Sequence, residues 1–67
     1  MIEITLNGRR EKLEKPTTLQ ALVEQKKLSP TGIAIARNGE IAPKSEWAAT
    51  LIQTGDTLEI IHAVQGG

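Results

Sequence analysis

Ile2-Glu3-Ile4-Thr5-Leu6-Asn7-Gly8-Arg9-Arg10-Glu11-Lys12-Leu13 is the stretch on which the fold turns. Ile2, Ile4 and Leu6 alternate with Glu3 and Thr5, the period of a strand with one buried face. Asn-Gly follows at once, and this pair suits the positive φ angles of a tight type I′ turn. Arg9 to Leu13 then returns as a polar, exposed partner strand. The chain therefore opens with a β-hairpin.

Beyond the hairpin the period changes. Pro16 has no N–H to give to a ladder. Thr17 and Gln20 stand in the T-x-x-Q relation of a capping box. Leu19, Leu22 and Val23 share one helical face, while Gln20, Glu24 and Lys27 point away. Lys26 and Lys27 are placed in the last turn, where positive charge suits the helix dipole. Ser29-Pro30-Thr31-Gly32 ends a helix of about ten residues by this reading. Ile33-Ala34-Ile35-Ala36 is apolar without alternation, as expected for a strand covered on both sides or central in its sheet. Asn38-Gly39 turns it into a short strand, Glu40-Ile41-Ala42, which Pro43 stops. Ser45 is placed to cap a short helical turn through Glu46-Trp47-Ala48. Thr54-Gly55-Asp56 is a further turn, and Thr57 to Val64 reads as the last strand. In it Leu58 and Ile60 face the core and Glu59, Ile61 and Ala63 face away. There are no repeats, linkers or low-complexity stretches.

Two hairpins, one substantial helix and a last strand make an α+β domain of about five strands. A helical crossover implies a right-handed connection and a parallel pair at the centre of the sheet. The expected architecture is a β-grasp, or ubiquitin-like, mixed sheet wrapped on one main helix. Residues 1–67 form a single domain in this reading, with a flexible tail at 65–67.

Composition narrows what such a domain does. At 67 residues, a chain buries only about 60% of the surface it exposes when unfolded, which leaves little room for an internal active site. Eight basic residues balance eight acidic ones, so no basic stripe meets a phosphate backbone. Trp47 is the only aromatic residue, so bases have no stacking platform either. Nucleic acid is not an expected partner. There is no cysteine, which excludes disulfides and Cys-based zinc patterns. The first residues do not read as a signal peptide, and no apolar run approaches the roughly 20 residues that span a bilayer. The expectation is a cytoplasmic, soluble protein with no membrane partner and no bound metal.

Gly66-Gly67 closes the sequence directly after a strand. Two terminal glycines arise by chance about 0.5% of the time, and an inert frayed end is the plain alternative. The chemistry gives them a use. Residues without Cβ atoms thread a narrow channel and adopt backbone angles closed to others. A terminal carboxylate, with a pKa of about 3.3–3.7, is ionised at neutral pH and inert until joined to a good leaving group. Without cysteine, sulfur could be carried only on that carboxyl carbon. His62 is a lone strand histidine with no nucleophile paired to it in sequence, and a structural role is preferred for it. Glu46 and Asp56 read as isolated carboxylates near turns. Nothing in the pattern marks an enzyme.

Three stretches, Ala36-Arg37-Asn38-Gly39-Glu40-Ile41, Pro43-Lys44-Ser45-Glu46-Trp47-Ala48 and Gly55-Asp56-Thr57-Leu58, together with Gly66-Gly67, carry a likeness to a known family. Over essentially its whole length the chain resembles the ThiS family, the sulfur carriers of thiazole synthesis in the thiamine pathway. The resemblance implies that Gly67 is the point of sulfur attachment and Gly66 the slim neck beside it. It implies an E1-like adenylyltransferase (ThiF) that joins the Gly67 carboxylate to AMP. A cysteine desulfurase system then supplies the sulfur, and thiazole synthase (ThiG) accepts it. ATP and magnesium belong to the adenylyltransferase, and this chain binds no cofactor of its own. Gln65 departs from the pattern, since many relatives carry a small residue there, which bears on which activating enzyme accepts the tail. Ile61 and Ala63 are candidates for partner docking; burial under the loop around Trp47 is the alternative, and is preferred for them. Trp47 itself reads as a packing anchor. Sister carriers for molybdopterin or tRNA thiolation, and a ubiquitin-like protein modifier, use the same tail and stay open as alternatives. So does a β-grasp interaction module with an inert tail.

Overall fold

A computed structural model of the chain describes residues 1–29 and 31–62. Strand β1 (Ile2–Leu6) and strand β2 (Arg9–Leu13) form the opening hairpin, with Ile2 opposite Leu13 and Leu6 opposite Arg9. Asn7 and Gly8 have φ of 51° and 83°, the paired positive values of a type I′ turn. Strands β3 (Ile33–Arg37) and β4 (Glu40–Ala42) repeat the device through Asn38 and Gly39, at 53° and 88°. The last described strand, β5 (Thr57–His62), runs between the two hairpins, so the sheet order is β2-β1-β5-β3-β4. β5 pairs antiparallel with β3 from Leu58 to His62, and parallel with β1 at Thr57 and Leu58. The expected central parallel pair is present, but the first and last strands make it. The two strands that the helix joins, β2 and β3, are held apart by β1 and β5. β3 is interior without being central; that place belongs to β5.

Helix α1 (Leu19–Gln25) has seven residues, fewer than the expected ten, and its cap differs from expectation. Thr18, not Thr17, is the N-cap, its hydroxyl accepting the Ala21 N–H at 3.1 Å. Thr17 is held outside the helix because residues 17–19 run against residues 50–52. The Ile52 N–H donates to the Thr17 carbonyl at 2.9 Å and the Leu19 N–H to the Thr50 carbonyl at 3.0 Å. The Thr17 hydroxyl turns to the Lys15 carbonyl, and Gln20 bonds Glu24 along the helix. At the other end the N–H groups of Lys27 and Leu28 donate to the carbonyls of Glu24 and Val23, a Schellman closure. Lys27 takes the left-handed position, φ 57°. Lys26 and Lys27 thus lie past the last turn; Lys26 reaches β2 instead, 2.8 Å from Glu11.

The core lies between α1 and the concave face of the sheet. Leu19, Leu22 and Val23 of the helix pack with Ile4, Leu6, Leu13, Ile35, Leu58 and Ile60 of the strands. A 3₁₀ helix, Lys44–Ala49, follows Pro43 and puts Trp47 into this core, with the indole N–H donating to the Ala42 carbonyl at 3.0 Å. Its N-cap is Pro43 and no side chain caps it, so Ser45 sits inside the helix and not at its start. The packing role expected of Trp47 is present. Among the described residues no helix is long and apolar enough to cross a membrane.

Candidate functional site

The element that leads to the glycines is β5, and two asparagines hold it from opposite sides. The Asn7 N–H donates to the Leu58 carbonyl at 2.9 Å, and the Asn7 side-chain oxygen accepts the Ile60 N–H at 2.8 Å. β1 has already ended at Leu6, so the Asn7 amide supplies one more rung where no strand remains. On the other side the Asn38 N–H donates to the Thr57 carbonyl, and its side-chain oxygen accepts the Thr57 N–H, both at 2.8 Å. Each Asn therefore does two things: it tolerates the positive φ of its turn, and it grips the central strand.

Asp56 completes the second grip. It was expected as an isolated turn carboxylate, but it is buried and ion-paired. Its oxygens accept from the Arg37 Nε at 2.9 Å, the Asn38 Nδ2 at 3.0 Å and the Gln53 N–H at 2.9 Å. Burial alone would raise its pKa. The donors from Gln53, Asn38 and Arg37, with the Arg37 charge, outweigh burial and hold the carboxyl below the ordinary range. A depressed folded-state pKa stabilises the fold fully above the unfolded value of about 3.9, and that contribution is lost as pH falls through the folded value. Asp56→Asn, which keeps the shape and removes the charge, should cost about 2 kcal/mol at neutral pH. That lowers the melting temperature by about 10 °C. The gap from wild type should close as the pH drops below about 4, which parallel melts across pH would measure.

The two faces of β5 differ. Leu58 and Ile60 point into the core, as expected, while Glu59 and Ile61 are exposed. Burial of Ile61 under the Trp47 loop does not occur: Ile61 is 47% exposed. Trp47 packs into the core with Leu58 and Ile60, whereas a residue one step along the strand faces the other side of the sheet. In register, Ile61 lies opposite Ala34, and Ala36 lies opposite both Glu59 and Ile41. Ile61, Ala34, Ala36 and Ile41 therefore share the convex face across three strands, and Ile41 is 61% exposed. Sequence reading placed Ile61 on this face but missed Ile41. The signal was available in the Asn38-Gly39 turn, which fixes Ile41 opposite Ala36.

Ala63, Gly66 and Gly67, with the rest of 63–67, lie outside the described residues, as does Pro30. Among the described residues no group of three or more His, Asp or Glu side chains is gathered to hold a metal ion. The site consists of a strand held at Thr57, Leu58 and Ile60, an exposed apolar stripe beside it, and the glycines four and five residues beyond His62 in sequence.

A five-stranded mixed sheet around one helix, with first and last strands parallel at its centre, defines a β-grasp domain of the ubiquitin-like type. Residues 3–67 match the ThiS family model, and the chain belongs to the ThiS family. It is 29% identical over 66 residues to the sulfur carrier protein ThiS of Escherichia coli K12, covering 98% of this chain and 100% of that protein. It is also similar to thiazole synthases of Paramagnetospirillum magneticum and Magnetococcus marinus, 32% and 30% identical over 66 residues and 98% of this chain. The chain spans only 20% of the length of each of these two. Among solved structures, the crystal structure of a thiamine biosynthesis protein (ThiS) from Geobacter metallireducens superposes with a TM-score of 0.84. Its identity is 22%, over 98% of this chain and 100% of that one. A solution structure of the Geobacter metallireducens protein gives a TM-score of 0.80 at 22% identity, over 98% of this chain and 88% of that one. These superpositions support the β-grasp fold.

Proposed function

We propose that this chain is a sulfur carrier of thiamine biosynthesis that works through the carboxyl group of Gly67. The observation that carries the reading is the likeness to a sulfur carrier over that protein's full length, with Gly66-Gly67 inside the stretch that matches the family. In the proposed cycle the Gly67 carboxylate attacks the α-phosphorus of ATP on an E1-like adenylyltransferase, and pyrophosphate leaves. Sulfide, released when a thiol reductant cleaves the persulfide that a cysteine desulfurase supplies, then attacks the acyl carbon and AMP leaves, which gives a thiocarboxylate. Thiazole synthase takes the sulfur. The likeness of this chain to part of two thiazole synthases supports that recipient.

The chain's own part is mechanical. β5 is anchored by Asn7 and Asn38 and gives the glycines a fixed starting point. Gly66 and Gly67 have no Cβ to obstruct a narrow channel or an incoming nucleophile. The nucleotide and magnesium sites belong to the enzyme.

Ile61 serves as the docking surface for the adenylyltransferase, with Ile41 extending the stripe. Ile61→Asp should weaken binding to that enzyme about tenfold or more, since a charge in an apolar contact is left unpaired. Its melting temperature should stay close to wild type, because the site is exposed. Titration calorimetry and a thermal melt on the same sample check both parts. Expression of the chain in strains lacking either the thiamine or the molybdopterin carrier tests the pathway. Rescue of thiamine-free growth supports the proposal, whereas rescue of molybdoenzyme activity alone moves the chain to the sister pathway. Adducts to cellular lysines through Gly67 would indicate a protein modifier.

A further inference from the structure

β5 runs past the end of the hairpin beside it. On its β3 side the strand is paired from Leu58 to His62, but β1 reaches only Thr57 and Leu58. The Asn7 side chain adds the rung at Ile60 N–H, and there the ladder stops. Polar groups alternate along a strand, so the edge that carries the Ile60 N–H also carries the Ile60 carbonyl and the His62 N–H and carbonyl. Among the described residues no backbone group bonds to these three. The last described residues of the most central strand therefore lie on an open edge.

The edge borders a groove lined by Leu6, Leu28, Ile60, Arg9, Lys26 and His62. Its floor is aliphatic. Lys26 on the rim is engaged by Glu11 at 2.8 Å, while Arg9 has no salt-bridge partner among the described residues.

We propose that this edge pairs with an extended segment of the enzyme that activates Gly67, a segment bearing an aliphatic side chain for the groove floor and a carboxylate for Arg9. The inference rests on the carrier reading above. Gly67 lies five positions beyond His62, a span of at most about 18 Å when fully extended. An enzyme that encloses Gly67 must therefore present a wall within that distance of the open edge. Adding a strand there satisfies the three free backbone groups and aligns the tail with the channel beyond. The groove lies on the opposite side of the sheet from the stripe of Ile61 and Ile41, so both contacts can form at once.

The test is amide hydrogen exchange on the whole chain, free and bound to the adenylyltransferase of the same organism. The expected result is fast exchange at His62 in the free chain and at least tenfold slower exchange in the complex. A chemically synthesised chain with an N-methyl group on His62 removes the donor without touching the β3 ladder. It should fold normally and bind about tenfold more weakly. Unchanged His62 exchange in a complex that perturbs Ile61 would overturn the edge contact while leaving the carrier reading intact. Protection at His62 only with thiazole synthase would also overturn it. Absence of any complex, with no sulfur loading of Gly67, would sink both.

Discussion

Gly66→Val should abolish sulfur loading while leaving the fold unchanged. Residue 66 lies four positions beyond His62, the last described residue of β5, so no described core contact depends on it. Valine adds a branched Cβ beside the acyl carbon, where the adenylate must form and a nucleophile must approach. It also restricts the backbone angles with which the tail enters a channel. A displacement of about 1 Å at a reacting centre can cost about 100-fold in rate, and the loss here should be at least that large. The rate of adenylate formation at saturating ATP, read as pyrophosphate release in the presence of the activating enzyme, checks it. A variant that loads at wild-type rate would mean that the neck need not be narrow. Gly66→Ala, with a single methyl group, should fall between the two.

The second large effect belongs to the core. Trp47→Ala should leave the chain unfolded at room temperature. Trp47 is the largest fully buried side chain and is 1% exposed. Removing a buried tryptophan costs about 3–5 kcal/mol, and a single core in a domain of this size rarely supplies more than about 3–5 kcal/mol in total. The indole hydrogen bond to the Ala42 carbonyl is lost as well. Trp47→Phe, which restores much of the volume but not the donor, should remain folded with a lower melting temperature. Far-UV circular dichroism and amide chemical-shift dispersion separate the two outcomes. A folded, dispersed spectrum from the alanine variant would show that the 3₁₀ segment is dispensable to the core.

These two sites were open to sequence reading to different degrees, for physical reasons. Turn chemistry and hydrophobic alternation were legible. Asn-Gly at 7–8 and 38–39 predicts both hairpins because only a few residues accept two successive positive φ angles. Period-two alternation put Leu58 and Ile60 inward and Ile61 outward. The helix face of Leu19, Leu22 and Val23 was equally clear. What periodicity cannot carry is pairing across the chain. The Asn7 to Ile60 bond joins residues 53 apart, and the Arg37 to Asp56 pair joins residues 19 apart. The same blindness explains the helix start: Thr17 is a good local cap, but its pairing with the segment around Leu51 holds it extended and passes the role to Thr18. The Ile61 burial reading failed because the Trp47 segment packs on the core face with Leu58 and Ile60, the side of the sheet opposite Ile61.

The most direct measurement is the intact mass of the chain after incubation with the adenylyltransferase of its own organism, ATP and a sulfide source. The proposed function predicts a gain equal to the replacement of one oxygen by sulfur, localised to Gly67 by fragmentation and absent when Gly67 is deleted. An unchanged mass, with the same enzyme shown to load another carrier in parallel, would contradict it.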